Sequence, residues 1–163
     1  MKRVLLLLAD RQHTRLQTQQ QAGLDVSAAT LSLDPAQSQV LKRLLSTPGQ
    51  LRLMPSNVAQ FSALLPGNLK ALFPSEHLLL RSVANNGRVV MLVVADQGGQ
   101  PLNDVCLQAF GKTVQCIERA LGFAHLVDSR AHSALLVARL RLSATQIFTA
   151  SSPSSSVSGA CGS

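Results

Sequence analysis

Four histidines, His13, His77, His125 and His132, and three cysteines, Cys106, Cys116 and Cys161, are the side chains of this 163-residue chain best suited to nucleophilic or metal chemistry. They are dispersed. No histidine stands beside a serine, cysteine or carboxylate at a spacing that would pair a nucleophile with its base. Two Glu and six Asp in the whole sequence supply little for paired-carboxylate acid–base work. There is no CxxC and no Cys/His cluster to suggest a metal site. Gly98 and Gly99 are not set in GxGxxG or GxxxxGKS/T, so they read as a plain turn and not as a phosphate cradle. The inventory argues against an enzyme. What remains is binding, and the sharpest pointer to it is Arg81. It lies inside an apolar run, where a guanidinium needs a carboxylate, carbonyls or an anionic ligand. The plainer reading is that it reaches the sheet margin or pairs with Asp10 or Asp96.

The element that must position Arg81 is a hairpin. Residues 77–94 form two apolar runs hinged at Asn85-Asn86-Gly87-Arg88, and Asn-Gly between hydrophobic runs suits a turn whose two central residues need positive φ. With Asn86 and Gly87 at the tip, a regular ladder pairs Ala84 with Val89, Val83 with Val90, Arg81 with Leu92 and Leu79 with Val94. That register puts Leu79, Val83, Val90, Leu92 and Val94 on one face and Leu78, Leu80, Ala84, Val89, Met91 and Val93 on the other. Both faces are apolar, so the hairpin is expected in the middle of a sheet covered on both sides.

The remaining elements follow in chain order. Arg3 to Ala9 reads as a buried strand, turned by Asp10 to His13. Thr14 to Ala22 contains three successive glutamines and suits either a helix or an exposed strand. The hairpin-length connection favours an antiparallel strand, which Gly23 ends. Asp34-Pro35-Ala36-Gln37 carries an N-cap, a first-position proline and a capping-box glutamine, opening a helix whose stripe is Val40, Leu41, Leu44 and Leu45. Leu51 to Met54 is a short extended segment. Ser56 or Asn57 caps a helix broken at Pro66-Gly67, and Leu69, Leu72 and Phe73 add further turns before Pro74. Asn103 caps a long final helix, with Leu102 and Leu107 placed as a hydrophobic staple and Cys106, Phe110, Thr113, Ile117, Ala120 and Leu121 inward. Cys106 and Cys116 are expected to be small apolar fillers.

A chain of this length with 46% hydrophobic and 14% charged residues can bury one core. One domain over residues 1–128 is expected. Residues 129–163, Ser/Gly-rich from 151, read as a disordered tail in which Cys161 is an exposed thiol. The net charge of +7 is scattered singly, and five Phe without Trp or Tyr give no stacking platform, so no nucleic-acid partner is expected. Too few cysteines for a disulfide framework point to a reducing cytoplasm. The apolar run after Met1-Lys2-Arg3 is too short for a signal peptide, and no run is long enough to cross a bilayer.

Strand, strand, helix, short strand, broken helix, hairpin and long helix, in that order, resemble the GAF domain of the PAS-like sensor superfamily. Residues Asn86 through Asp96 look like its central hairpin, and Phe110 through Leu121 like its closing helix. More narrowly, Leu44-Leu45-Ser46-Thr47-Pro48-Gly49, Pro55-Ser56-Asn57 and Leu64-Leu65-Pro66 are similar to the GAF-like region at the C-terminal end of bacterial HDOD signalling proteins. The resemblance covers about residues 3 to 125 and implies an α+β fold, a central antiparallel sheet of about five strands with helices on its faces. It implies a non-enzymatic module that senses a small molecule or relays a signal to an output domain or protein partner. The alternative is a ligand-free domain for protein–protein interaction or dimerisation.

The chain starts at the first strand, without the helix that normally precedes it and helps form the family's homodimer. It is therefore expected to be a fragment of a longer signalling protein or a stand-alone remnant. The Asn-Lys-Phe-Asp-Glu signature of cyclic-nucleotide sites and the Cys-His pair of bilin sites are absent, so no specific cofactor is indicated. The resemblance sets a ligand pocket between the sheet and Leu51–Leu72. There Arg52, Asn57 and Gln60 would orient a ligand and Met54 and Phe61 would line it, with Arg81 as a further contact.

Overall fold

The computed structural model describes residues 1–124; the expected tail lies outside them. Six strands form one antiparallel sheet: β1 (Arg3–Ala9), β2 (Leu16–Ala22), β3 (Ser32–Leu33), β4 (Gln50–Arg52), β5 (Leu78–Asn85) and β6 (Arg88–Asp96), in the order β3-β2-β1-β6-β5-β4. The fold is α+β as expected, with six strands against about five. The additional one is the two-residue edge strand β3, too short for any alternation pattern to reveal it.

The turn between β5 and β6 is where the sequence places it, with Asn86 at φ 50° and Gly87 at φ 78°. Asn85 pairs with Arg88 and Ala84 with Val89, but the next pair is Val83 with Met91, so Val90 is an extra residue in a β-bulge. Past the bulge the expected register is one residue out. Arg81 faces Val93, not Leu92, and Leu79 faces Ala95, not Val94. Because neighbouring side chains point to opposite faces, that single residue moves Leu92 and Val94 across the sheet to join Leu78 and Leu80, while Met91 and Val93 join Leu79 and Val83. The glutamine tract hides a second irregularity. Leu6 pairs with Gln20 and Leu7 with Thr18, which leaves Gln19 over.

One face of the sheet is covered by α1 (Gln39–Ser46), α2 (Val58–Ser62) and α3 (Gly67–Leu72), the other by α4 (Asp104–Ala124). The first helix begins in two steps. Asp34 caps only a 3₁₀ turn, Pro35–Gln37, where its carboxylate accepts from the Ala36 N–H at 2.8 Å. Ser38 then caps α1, accepting from the Leu41 N–H at 3.2 Å and donating its hydroxyl proton to the Leu64 carbonyl at 2.6 Å. Ser38 is buried, so its hydroxyl ties α1 to the loop after α2 as well as starting the helix.

At the start of α4, Asn103 accepts from the Cys106 N–H at 2.8 Å, and Leu102 and Leu107 both join the core beneath. Phe110, Val114, Ile117 and Leu121 form the buried stripe. Val114 completes it where the sequence reading favoured Thr113. Cys116 is exposed and so is not the buried filler expected of it. Cys106 is half-buried, with its sulfur accepting from the Gln97 side chain at 3.0 Å. Both faces of the β5–β6 hairpin are thus closed, and Leu78, Leu79, Leu80, Met91, Leu92, Val93 and Val94 are all at or near zero exposure.

Candidate functional site

The six residues expected to contact a ligand divide between the two faces of the sheet. Arg52 is opposite Leu79 on the strand ladder and therefore shares the α4 face, where its Nη2 donates to the Leu102 carbonyl at 2.6 Å. Arg81 is on the same face, half-buried beside Gly111 of α4. Its alternative partners are engaged elsewhere: Asp96 with Arg3 and Asp10 with Thr14. Asn57 holds the loop after β4 together, accepting from the Met54 N–H at 2.8 Å and donating to the Arg52 carbonyl at 3.0 Å. That leaves the start of α2 without a side-chain cap. Met54 is half-buried, Gln60 is exposed, and Phe61 packs on the opposite face against the core under α1 to α3. The space between the sheet and α2–α3 holds Leu53, Leu65, Leu69 and Phe73, all buried.

Concave space on that same face opens at the far end of α3. A groove of about 540 Å³ runs between Asn68, Ala71 and Leu72 of α3 and the Gly23–Leu31 segment after β2, with Arg3 and Asp25 at its walls. Gly23 makes the close approach here possible. Its φ is +68°, and an added Cβ would lie 2.0 Å from the Lys2 carbonyl oxygen, so any other residue would force the segment away from β1. Behind the groove, Asp96 is fully buried at the end of β6 and accepts from the Arg3 guanidinium through both carboxylate oxygens, while the Gly98 N–H donates to Oδ1 at 3.0 Å. The hydrogen bond to Asp96 holds Arg3 above the usual arginine range, reinforced by its charge and opposed by partial burial. Arg3 also stands over the Phe73 ring, 5.8 Å from its centroid. No sequence signal marked this place. The segment from Gly23 to Leu33 has no clear period, and its contribution comes from the 3₁₀ turn Val26–Thr30 and from Leu24 and Leu31 packing on the core.

A second groove, of about 660 Å³, lies at the β1–β2 turn against β3, bordered by Leu8, Asp10, Thr14, Arg15 and Asp34. Its carboxylates are occupied. Asp10 accepts from the Thr14 hydroxyl and backbone N–H, and the hydroxyl is the main cause that sets the Asp10 carboxyl below its ordinary value. Asp34 accepts from the Ala36 N–H and the Gln37 side chain. Among the described residues no group of three His, Cys, Asp or Glu could hold a metal ion, and no helix is long and apolar enough to cross a membrane.

Solved structures similar to the chain at low identity include the following. It aligns with residues 122 to 287 of a methyl-accepting chemotaxis protein, with 14% identity and TM-score 0.56 over 93% of this chain and 82% of that one. The GAF domain/HD domain protein from Geobacter sulfurreducens shares 18% identity with TM-score 0.59, over 78% of this chain and 85% of that one. The GAF domain of an Acinetobacter phosphoenolpyruvate-protein phosphotransferase shares 18% identity with TM-score 0.56, over 79% of this chain and 76% of that one. The architecture is therefore the GAF fold. No family model and no curated protein matches the sequence.

Proposed function

We propose that the chain is a non-enzymatic regulatory domain of GAF type, with a small-molecule site in the groove between α3 and the Gly23–Leu31 segment. The observation that carries this reading is the groove itself: apolar surface from Leu24, Leu31, Ala71 and Leu72, with Arg3, Asp25 and Asn68 as a few polar groups able to orient a ligand. It lies on the face opposite α4, so occupancy could bias α4 through the sheet if the ligand favours one packing over another. The narrower resemblance to the HDOD-associated region supports an output domain or protein partner in a bacterial, cytoplasmic signalling protein. In this reading the sensor domain covers residues 1–128. Met54, Asn57, Gln60 and Phe61 then belong to the scaffold around β4 and α2 and do not line the groove. A ligand-free interaction domain is the second reading, favoured by the leucines that fill the space under α2–α3 and by Val105, 74% exposed on the outer side of α4.

Native mass spectrometry of the full chain purified from its source cell separates the two. A retained mass that disappears in Ala71→Trp is the expected result, because Ala71 is exposed at the groove and the indole would fill it without disturbing the core. Bare wild-type protein under gentle conditions, or a mass unaffected by Ala71→Trp, removes the groove from the account and leaves the interaction reading.

A further inference from the structure

We propose that Arg52 and Arg81 form a binding site for an oxyanion, a phosphate or carboxylate group, on the α4 face of the sheet. Arg81 projects from β5 between the fully buried Leu79 and Val83, with Val93 opposite it. A Cβ added at Gly111 would stand 3.8 Å from its Nη1, so α4 passes close over the guanidinium. Arg52 is on the neighbouring strand β4, opposite Leu79, which makes the two arginines diagonal neighbours with Cα atoms roughly 7–8 Å apart. Its Nη2 is fixed on the Leu102 carbonyl, while its Nε is shut off from solvent without a hydrogen-bond partner.

Among the described residues neither guanidinium has a counter-anion. The ion pair there is Arg3 with Asp96, and the Arg81 side chain has no hydrogen-bond partner among the described residues, although its backbone is part of the β4–β5–β6 ladder. Asp104 and Glu118 of α4 pair with neither arginine. Two half-buried guanidiniums at diagonal positions on one face of the sheet repel each other, and the sealed Arg52 Nε lacks an acceptor, so an anion near both would be favoured. The planar fork of Arg81 offers parallel donors suited to two oxygens of one oxyanion, and Arg52, with Nη2 held on Leu102, adds a second positive charge. Gln50, exposed on the edge strand opposite Arg81, leaves an approach from the sheet edge. The site is on the face away from the α3 groove, so it stands or falls independently of the reading above.

Arginine Nε–Hε resonances of the full ¹⁵N-labelled chain, followed during titration with sodium phosphate and separately with sodium succinate at constant ionic strength, test the site without any substitution. Saturable shifts at Arg52 and Arg81 are expected. Saturation by phosphate alone identifies a phosphoryl ligand, by succinate alone a carboxylate, and by both a general oxyanion site. Arg81→Lys, which keeps the charge but loses the fork, should weaken the interaction by at least about tenfold. Shifts that rise linearly with both anions overturn the proposal. So do shifts shared equally by the exposed Arg11, Arg15, Arg43 and Arg88, or a saturable interaction that Arg81→Lys leaves unchanged.

Discussion

Replacing Arg3 with Met should cost about 3–5 kcal/mol of folding stability, because it leaves the fully buried Asp96 carboxylate without its cation. Asp96 keeps only the Gly98 N–H, where before both of its oxygens also accepted from the guanidinium. Water cannot take over the missing bonds at a site with zero exposure. The double replacement of Arg3 with Met and Asp96 with Leu should recover most of the loss, since it removes the buried carboxylate together with its cation. Lys2→Met, at an exposed neighbour, should stay within about 0.5 kcal/mol. Urea denaturation of the full chain measures all three, provided the slope is unchanged. Equal small losses for Arg3→Met and Lys2→Met would mean that Asp96 is not sealed.

Leu92→Ala should cost about 3–5 kcal/mol, whereas Val90→Ala should cost about 1 kcal/mol. The contrast follows from the bulge. Leu92 is at zero exposure in the core under α1 to α3, while Val90, the extra residue, is only half-buried at the margin of the α4 layer. In an unbulged ladder the two would point to the same face, and nothing would set them apart so far. The same urea curves decide it, and a Val90→Ala loss matching that of Leu92→Ala would put the bulge elsewhere.

These two cases show where local sequence signals suffice and where they stop. Asn86-Gly87 announces its turn because few residue pairs tolerate two consecutive positive φ angles, and Asn103 with Leu102 and Leu107 announces the start of α4 by side-chain chemistry within five residues. The bulge at Val90 leaves no such mark. In a run of Val-Val-Met-Leu-Val-Val every residue is apolar, so a one-residue shift leaves the pattern looking the same while it exchanges the faces.

The candidate site was legible only in outline for the same reason. Arg52 and Arg81 stand out as cations among apolar neighbours, yet their common face follows from the β4–β5 register, a long-range pairing that two or three residues of β4 cannot announce. Asn57 carries a good capping side chain, but the Arg52 carbonyl and the Met54 N–H lie nearer to hand and take it. The α3 groove depends on Gly23 lying against Lys2, a contact between segments that sequence proximity does not reveal.

The α3 groove and the arginine pair are separate because one sheet divides the molecule into two sealed faces, with the β6 strand at its centre. Amide hydrogen exchange of the native chain measures this directly. The β6 amides should exchange only through global unfolding and those of the edge strands β3 and β4 far faster, because β6 is bonded on both sides and covered on both faces. Exchange from Leu92 to Ala95 as fast as that of β4 would contradict a sealed central strand, and with it the separation of the α3 groove from the arginine pair.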